Sequence, residues 1–141
     1  MFNQSFKNIC LPVLAAACLL AVAGCAARVV DPADPAYDRH AFTLADYKTY
    51  RQNNPNTHRS FAQSCEAYFP LLIRKGMTRK EAEQILVKSG GAEKTPRRDG
   101  KTRYAFKDKE FLSTLTVDVY VTYDKRGKVD MLTCTDSYKT F

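Results

Sequence analysis

The chain has 141 residues, with 22 lysines and arginines against 15 aspartates and glutamates, for a formal charge of +7. That length excludes two independent domains and leaves room for one small domain around a single core. It carries no paired-carboxylate motif in a catalytic context, no Ser/His/Asp constellation, no glycine-rich phosphate loop and no metal-ligand spacing. An enzyme is therefore not expected, nor any catalytic residue, metal or cofactor.

Residues 1–24 have the three parts of a secretory signal. Lys7 supplies the positive start, Ile9 to Ala23 the apolar run, and Ala23-Gly24 the small residues before a cut. The run is too short to cross a bilayer comfortably, which takes about 20 residues. Val22-Ala23-Gly24-Cys25 resembles a lipobox, which implies cleavage before Cys25 and acylation of its thiol. The alternatives are an uncleaved membrane anchor and an ordinary signal with a chance cysteine. The same resemblance implies, from Ala26 standing where lipoproteins retained in the inner membrane of enteric bacteria have an aspartate, the outer membrane on its periplasmic face. Cleavage would leave 117 residues, and because the signal contributes Lys7 alone, a charge of +6. A basic protein tied to a membrane suits anionic lipid head groups, lipopolysaccharide phosphates or an acidic protein face. Export argues against nucleic acid.

Cys10 and Cys18 leave with the signal and lipid consumes Cys25, so Cys65 and Cys134 remain in an oxidising compartment. They are expected to form a disulfide; the alternative is two separate buried thiols.

Residues 25–58 read as the lipidated cysteine followed by a flexible tether. Asp31-Pro32-Ala33-Asp34-Pro35 and Asn53-Asn54-Pro55-Asn56 resist regular structure. Between them, Thr43-Leu44-Ala45-Asp46 can cap a short helix running to about Arg51. His40 and His58 lie here, without partners at metal-ligand spacing.

The folded domain is expected over residues 59–141. Ser60 to Gln63 fits a capping box, and Phe61, Cys65 and Phe69 share one helical face. Pro70 ends or kinks that helix, with Leu71, Leu72 and Ile73 continuing the apolar surface to Gly76. Thr78-Arg79-Lys80-Glu81 opens a second helix, with Ala82, Ile85 and Leu86 facing inward until Ser89-Gly90-Gly91 stops it. From there the period becomes two. Tyr104 and Phe106 mark a strand near 102–107, and Leu115, Val117, Val119, Val121 and Tyr123 mark a long one. Asp124 to Gly127 turns the chain into a last strand from about Lys128 to Asp136. Val129 and Leu132 fall on opposite faces of that strand unless a bulge near Asp130 to Leu132 corrects the phase and turns Cys134 inward.

Ile73-Arg74-Lys75-Gly76-Met77-Thr78, with the helix and strands that follow, resembles the SmpA/OmlA (BamE-like) outer-membrane lipoproteins. Their core also resembles the repeat of β-lactamase-inhibitory protein. Lys88-Ser89-Gly90-Gly91 departs from the Leu-Gly-x-Pro usual after that helix, and the family's frequent tryptophan is missing. The resemblance implies an α+β fold, with two short N-terminal helices on one face of a three-stranded antiparallel sheet and room for a short fourth strand. It also implies a non-enzymatic accessory in outer-membrane assembly or maintenance that binds protein partners and anionic lipid.

Charge supports a binding role. Between Arg74 and Lys109 twelve basic residues stand against five acidic ones. Arg74, Lys75, Arg97, Arg98, Lys101 and Arg103 are the candidate patch, since arginine forks suit phosphate and carboxylate. A second reading, inhibition of a periplasmic or host enzyme, would use exposed aromatics such as Phe111, Tyr120, Tyr138 and Phe141.

Overall fold

A computed structural model describes residues 27–54 and 61–141, the side chains of 61–63 excepted. Cys25 and His58 lie outside these residues. The fold is α+β, with three helices and a four-stranded antiparallel sheet in the order β1-β2-β3-β4. After a 3-10 turn at Arg39–Ala41 come α1 (Leu44–Asn53), α2 (Phe61–Leu72) and α3 (Arg79–Glu83), which continues as a π-helical turn, Gln84–Ser89. The strands are β1 (Glu93–Pro96), β2 (Lys101–Lys109), β3 (Ser113–Tyr123) and β4 (Val129–Thr140).

The largest correction concerns the expected tether. Its aromatic residues are core: Tyr37, Phe42, Tyr47 and Tyr50 are all buried. Phe42 meets Tyr68, Phe69 and Phe106 with ring centroids 5.9–6.1 Å apart. The prolines set the route of this segment without detaching it. The Asp31 and Asp34 carboxylates each accept the N–H two residues on, making successive local turns. The short helix itself forms as its cap predicts. The Thr43 N–H donates to the Asp46 carboxylate at 3.1 Å, and Asp46 is buried where the Arg28 guanidinium meets it at 3.2 Å.

In α2, Pro70 does not end the helix, which runs on to Leu72. It lies one turn from the C-terminus and is exposed, and the Ile73 N–H still reaches the Phe69 carbonyl at 2.8 Å. Cys65, Tyr68, Phe69 and Leu72 form its buried stripe. Gly76, at φ +86°, then takes the left-handed conformation that reverses the chain. The Thr78 hydroxyl caps α3 by accepting the Glu81 N–H at 3.2 Å, and Ala82, Ile85 and Leu86 are buried as their spacing predicts.

The Gly90 N–H donates to the Ile85 carbonyl at 2.9 Å, closing the wide π-helical ring. This places Gly90 against two rings. A Cβ there would meet Phe42 at 2.7 Å, the Leu86 carbonyl at 2.8 Å and Phe106 at 2.9 Å. Its φ of −80° is ordinary, so space and not backbone conformation demands glycine. Gly90→Ala is expected to destabilise the fold by about 1–3 kcal/mol through overpacking, read as a lower urea midpoint.

The sheet has four strands where three were expected with room for a fourth. β1 supplies the short one, pairing Glu93 with Ala105 through Pro96 with Thr102. All four of its residues are exposed, so no alternation of apolar residues marks it. In β3 the alternation is complete, with Leu115, Val117, Val119 and Val121 buried. The expected bulge is present in β4. Thr122 pairs with Met131 and Tyr123 with Val129, leaving Asp130 as the extra residue. Beyond it Leu132 and Cys134 turn toward the core, and Cys134 bonds to Cys65 with Cα atoms 6.0 Å apart. β4 outruns its expected end because Ser137 to Thr140 pair with Ser113 to Thr116.

Candidate functional site

In an antiparallel meander every second turn falls at the same end. The β1–β2 and β3–β4 turns therefore share one end of the sheet, and the β2–β3 turn lies at the other. The turn between α2 and α3 joins the first end. The Gly76 N–H donates to the Val129 carbonyl at 2.8 Å, the Val129 N–H to Met77 at 2.8 Å and the Arg79 N–H to Gly127 at 2.9 Å. Arg74, Lys75, Arg97, Arg98 and Lys101 of the expected patch are thereby gathered at one pole.

Three cations that the linear charge run had omitted join them from the β3–β4 turn: Lys125, Arg126 and Lys128. The parity of the turns was the signal that would have found them. Conversely, Lys107 and Lys109, counted in that run, sit at the far end of β2. The charge-rich stretch is thus divided between two ends.

The pole's side chains are unequally free to bind. Arg98 is exposed. Lys75 pairs with Asp130 at 3.2 Å and Arg97 with Asp99 at 3.4 Å, both in solvent where such pairs exchange readily. The Arg97 guanidinium also lies over the Tyr120 ring, 5.3 Å from its centroid. Tyr120, expected as an open aromatic, is thus partly covered. Arg103 is the most committed: its Nε donates to the Asp118 carboxylate at 2.9 Å, with a second nitrogen 2.8 Å from the same oxygen. That pairing raises its pKa further and removes its fork from service toward a ligand.

The opposite end is built differently. Phe111, Leu112, Tyr138 and Phe141 are exposed there. Glu110 organises the turn, accepting from Lys48, from the Tyr138 hydroxyl at 2.8 Å and from the Ser113 hydroxyl at 3.1 Å. These partners, Lys48 foremost, hold its carboxyl down to about 2. Lys48 also reaches Asp108 at 2.6 Å, and the two carboxylates raise its own pKa.

Between the ends, the Tyr47 hydroxyl donates to Asp136, whose buried carboxyl is shifted upward by desolvation. Burial likewise pushes Tyr47 up. This pair ties α1 to β4 inside the packed interior, away from either end of the sheet. His40 lies in the 3-10 turn, where its carbonyl accepts the Ser89 hydroxyl.

No protein-family model matches the chain, and no curated protein or solved structure matches it either.

Proposed function

We propose that the chain is a lipoprotein of the outer membrane, anchored through Cys25 on the periplasmic face. It serves as a non-enzymatic accessory to outer-membrane assembly or maintenance, presenting its cationic pole to an acidic face of a protein partner. In this reading it is a divergent relative of the SmpA/OmlA lipoproteins, with α2 and α3 lying over one face of the sheet and the α1 segment closing the core beside them.

The observation that carries the reading is the gathering of Arg74, Lys75, Arg97, Arg98, Lys101, Lys125, Arg126 and Lys128 from three separate turns. Such a surface raises the encounter rate with an acidic partner and disfavours basic ones. The Gly76-Met77-Thr78 reversal, stitched to the β3–β4 turn, gives the pole a rigid base.

A photo-crosslinking residue in place of Arg98 tests this in intact cells. Adducts with outer-membrane assembly proteins are expected. Arg97→Glu with Lys101→Glu should abolish them, because like-charge juxtaposition at such an interface costs several kcal/mol. Adducts that persist undiminished in the charge-reversed chain would refute recognition by this pole. Adducts with a hydrolase would instead support the inhibitor reading.

A further inference from the structure

From the other end of the sheet we infer that Phe111, Leu112 and Phe141 form a tip that inserts into the lipid bilayer, a role that rests on the lipoprotein reading. Phe111 is 98% exposed, Phe141 86% and Leu112 59%. Among the described residues, the other exposed large hydrophobic side chains are Tyr138, at the same end, and Met131. A concentration of this kind marks an interaction surface, whereas single exposed hydrophobics are ordinary.

The tip is shaped before it meets anything. The Glu110 N–H donates to the Ser113 carbonyl at 2.8 Å, closing the β2–β3 turn, and the Phe141 N–H donates to the Leu112 carbonyl at 3.0 Å. Phe141 is thereby bound to the turn, so three apolar side chains project without further ordering. Glu110, in the same turn, is held by Lys48, which it shares with Asp108, and by two hydroxyl donors.

The surroundings select a bilayer over a protein pocket. Lys109 pairs with Thr114, and Thr114 pairs with Lys139, so two exposed lysines flank one row of the sheet. Each stands two residues before a tip phenylalanine, which places it about 7 Å behind the tip along the strand. With the rings among acyl chains, the ammonium groups lie at head-group level, where anionic lipids attract them.

The segment that leads from Cys25 is tied to the same helix that grips the tip's turn. The Arg28 guanidinium holds the Ala41 carbonyl and the Asp46 carboxylate, and Asp46 lies on α1 two residues before Lys48, which grips Glu110. Cys25 is three residues before Arg28, a reach of about 10 Å when extended. Acyl chains on Cys25 and the Phe111 tip can therefore enter one bilayer together.

The absence of tryptophan makes a direct test available. In the full chain, Phe111→Trp gives one fluorophore at the tip and Arg98→Trp gives one at the cationic pole. Each variant is reconstituted into phosphatidylglycerol/phosphatidylcholine vesicles carrying brominated acyl chains. We expect the residue-111 fluorophore to be blue-shifted and quenched several-fold more than that at residue 98. Equal quenching at the two positions would overturn the inference. So would a residue-111 fluorophore that stays exposed in vesicles and becomes buried when envelope proteins are added, which would assign the tip to a protein pocket.

The anchor is read separately, from the acyl mass on Cys25. Without that mass the lipoprotein reading falls, while selective quenching at position 111 by added vesicles would still uphold insertion.

Discussion

Replacing Cys65 and Cys134 together by alanine is expected to lower the stability of the fold by about 4 kcal/mol. The two cysteines are 69 residues apart, and cross-linking a loop of that length removes much of the conformational freedom of the unfolded chain. The loop contains α3, β1, β2, β3 and most of α2, so nearly the whole sheet is constrained by one bond. For a domain of this size, such a loss is a large share of total stability. Both positions are buried, and alanine leaves no unpaired polar group behind. The measurement is a urea transition of the purified chain, with and without reductant. The double variant should unfold at a much lower midpoint and respond no further to reductant. A midpoint equal to that of the oxidised parent would show that the bond contributes nothing.

Phe42→Ala is expected to cost about 3–5 kcal/mol, the usual range for truncating a buried phenylalanine. Its side chain is fully enclosed and meets Phe69 and Phe106 edge-on, at interplanar angles of 80° and 89°. Truncation would open a cavity where the N-terminal segment, α2 and β2 converge. The size of the effect decides what residues 27–54 are. A residue on a solvated tether changes stability by less than about 0.5 kcal/mol. A value in that lower range, from the same urea transition, would return the segment to the status of a linker. A large value makes the domain begin near Val29, whose side chain already packs on the core.

Much of this fold is legible in residue spacing. The Thr78 cap, the alternation from Leu115 to Val121 and the phase break at Asp130 each express a local rule that tertiary packing leaves intact. The disulfide follows from the same phase break, since one extra residue in β4 turns Cys134 inward. The N-terminal segment is misread for a physical reason. Asp31-Pro32 and Asn53-Asn54-Pro55 preclude long helices and strands, but irregular backbone can still carry Tyr37, Phe42, Tyr47 and Tyr50 into a core. Proline restricts secondary structure and leaves burial free.

β1 is illegible because an exposed edge strand has no face to bury and so no period to show. The candidate site is legible in composition and not in arrangement. A charge count along the chain merges Lys101 with Lys109, although they stand at opposite ends of β2. It also passes over Lys125 to Lys128, which the next reversal brings back to the first end.

The length of β3 has a further consequence for the electrostatics of an anchored domain. Its eleven residues extend about 36 Å at the rise of an antiparallel strand. With its Ser113 end at the lipid, the strand can carry Tyr123 and the neighbouring cations to roughly four Debye lengths from the head groups at physiological salt. At that height the bilayer's negative potential has decayed, so it neither captures the arginines nor masks them. In that proposed arrangement a shorter sheet would lay the same charges down on the lipid surface. In the proposed anchored arrangement β3 would act as a spacer, its length keeping the cationic pole clear of the lipid.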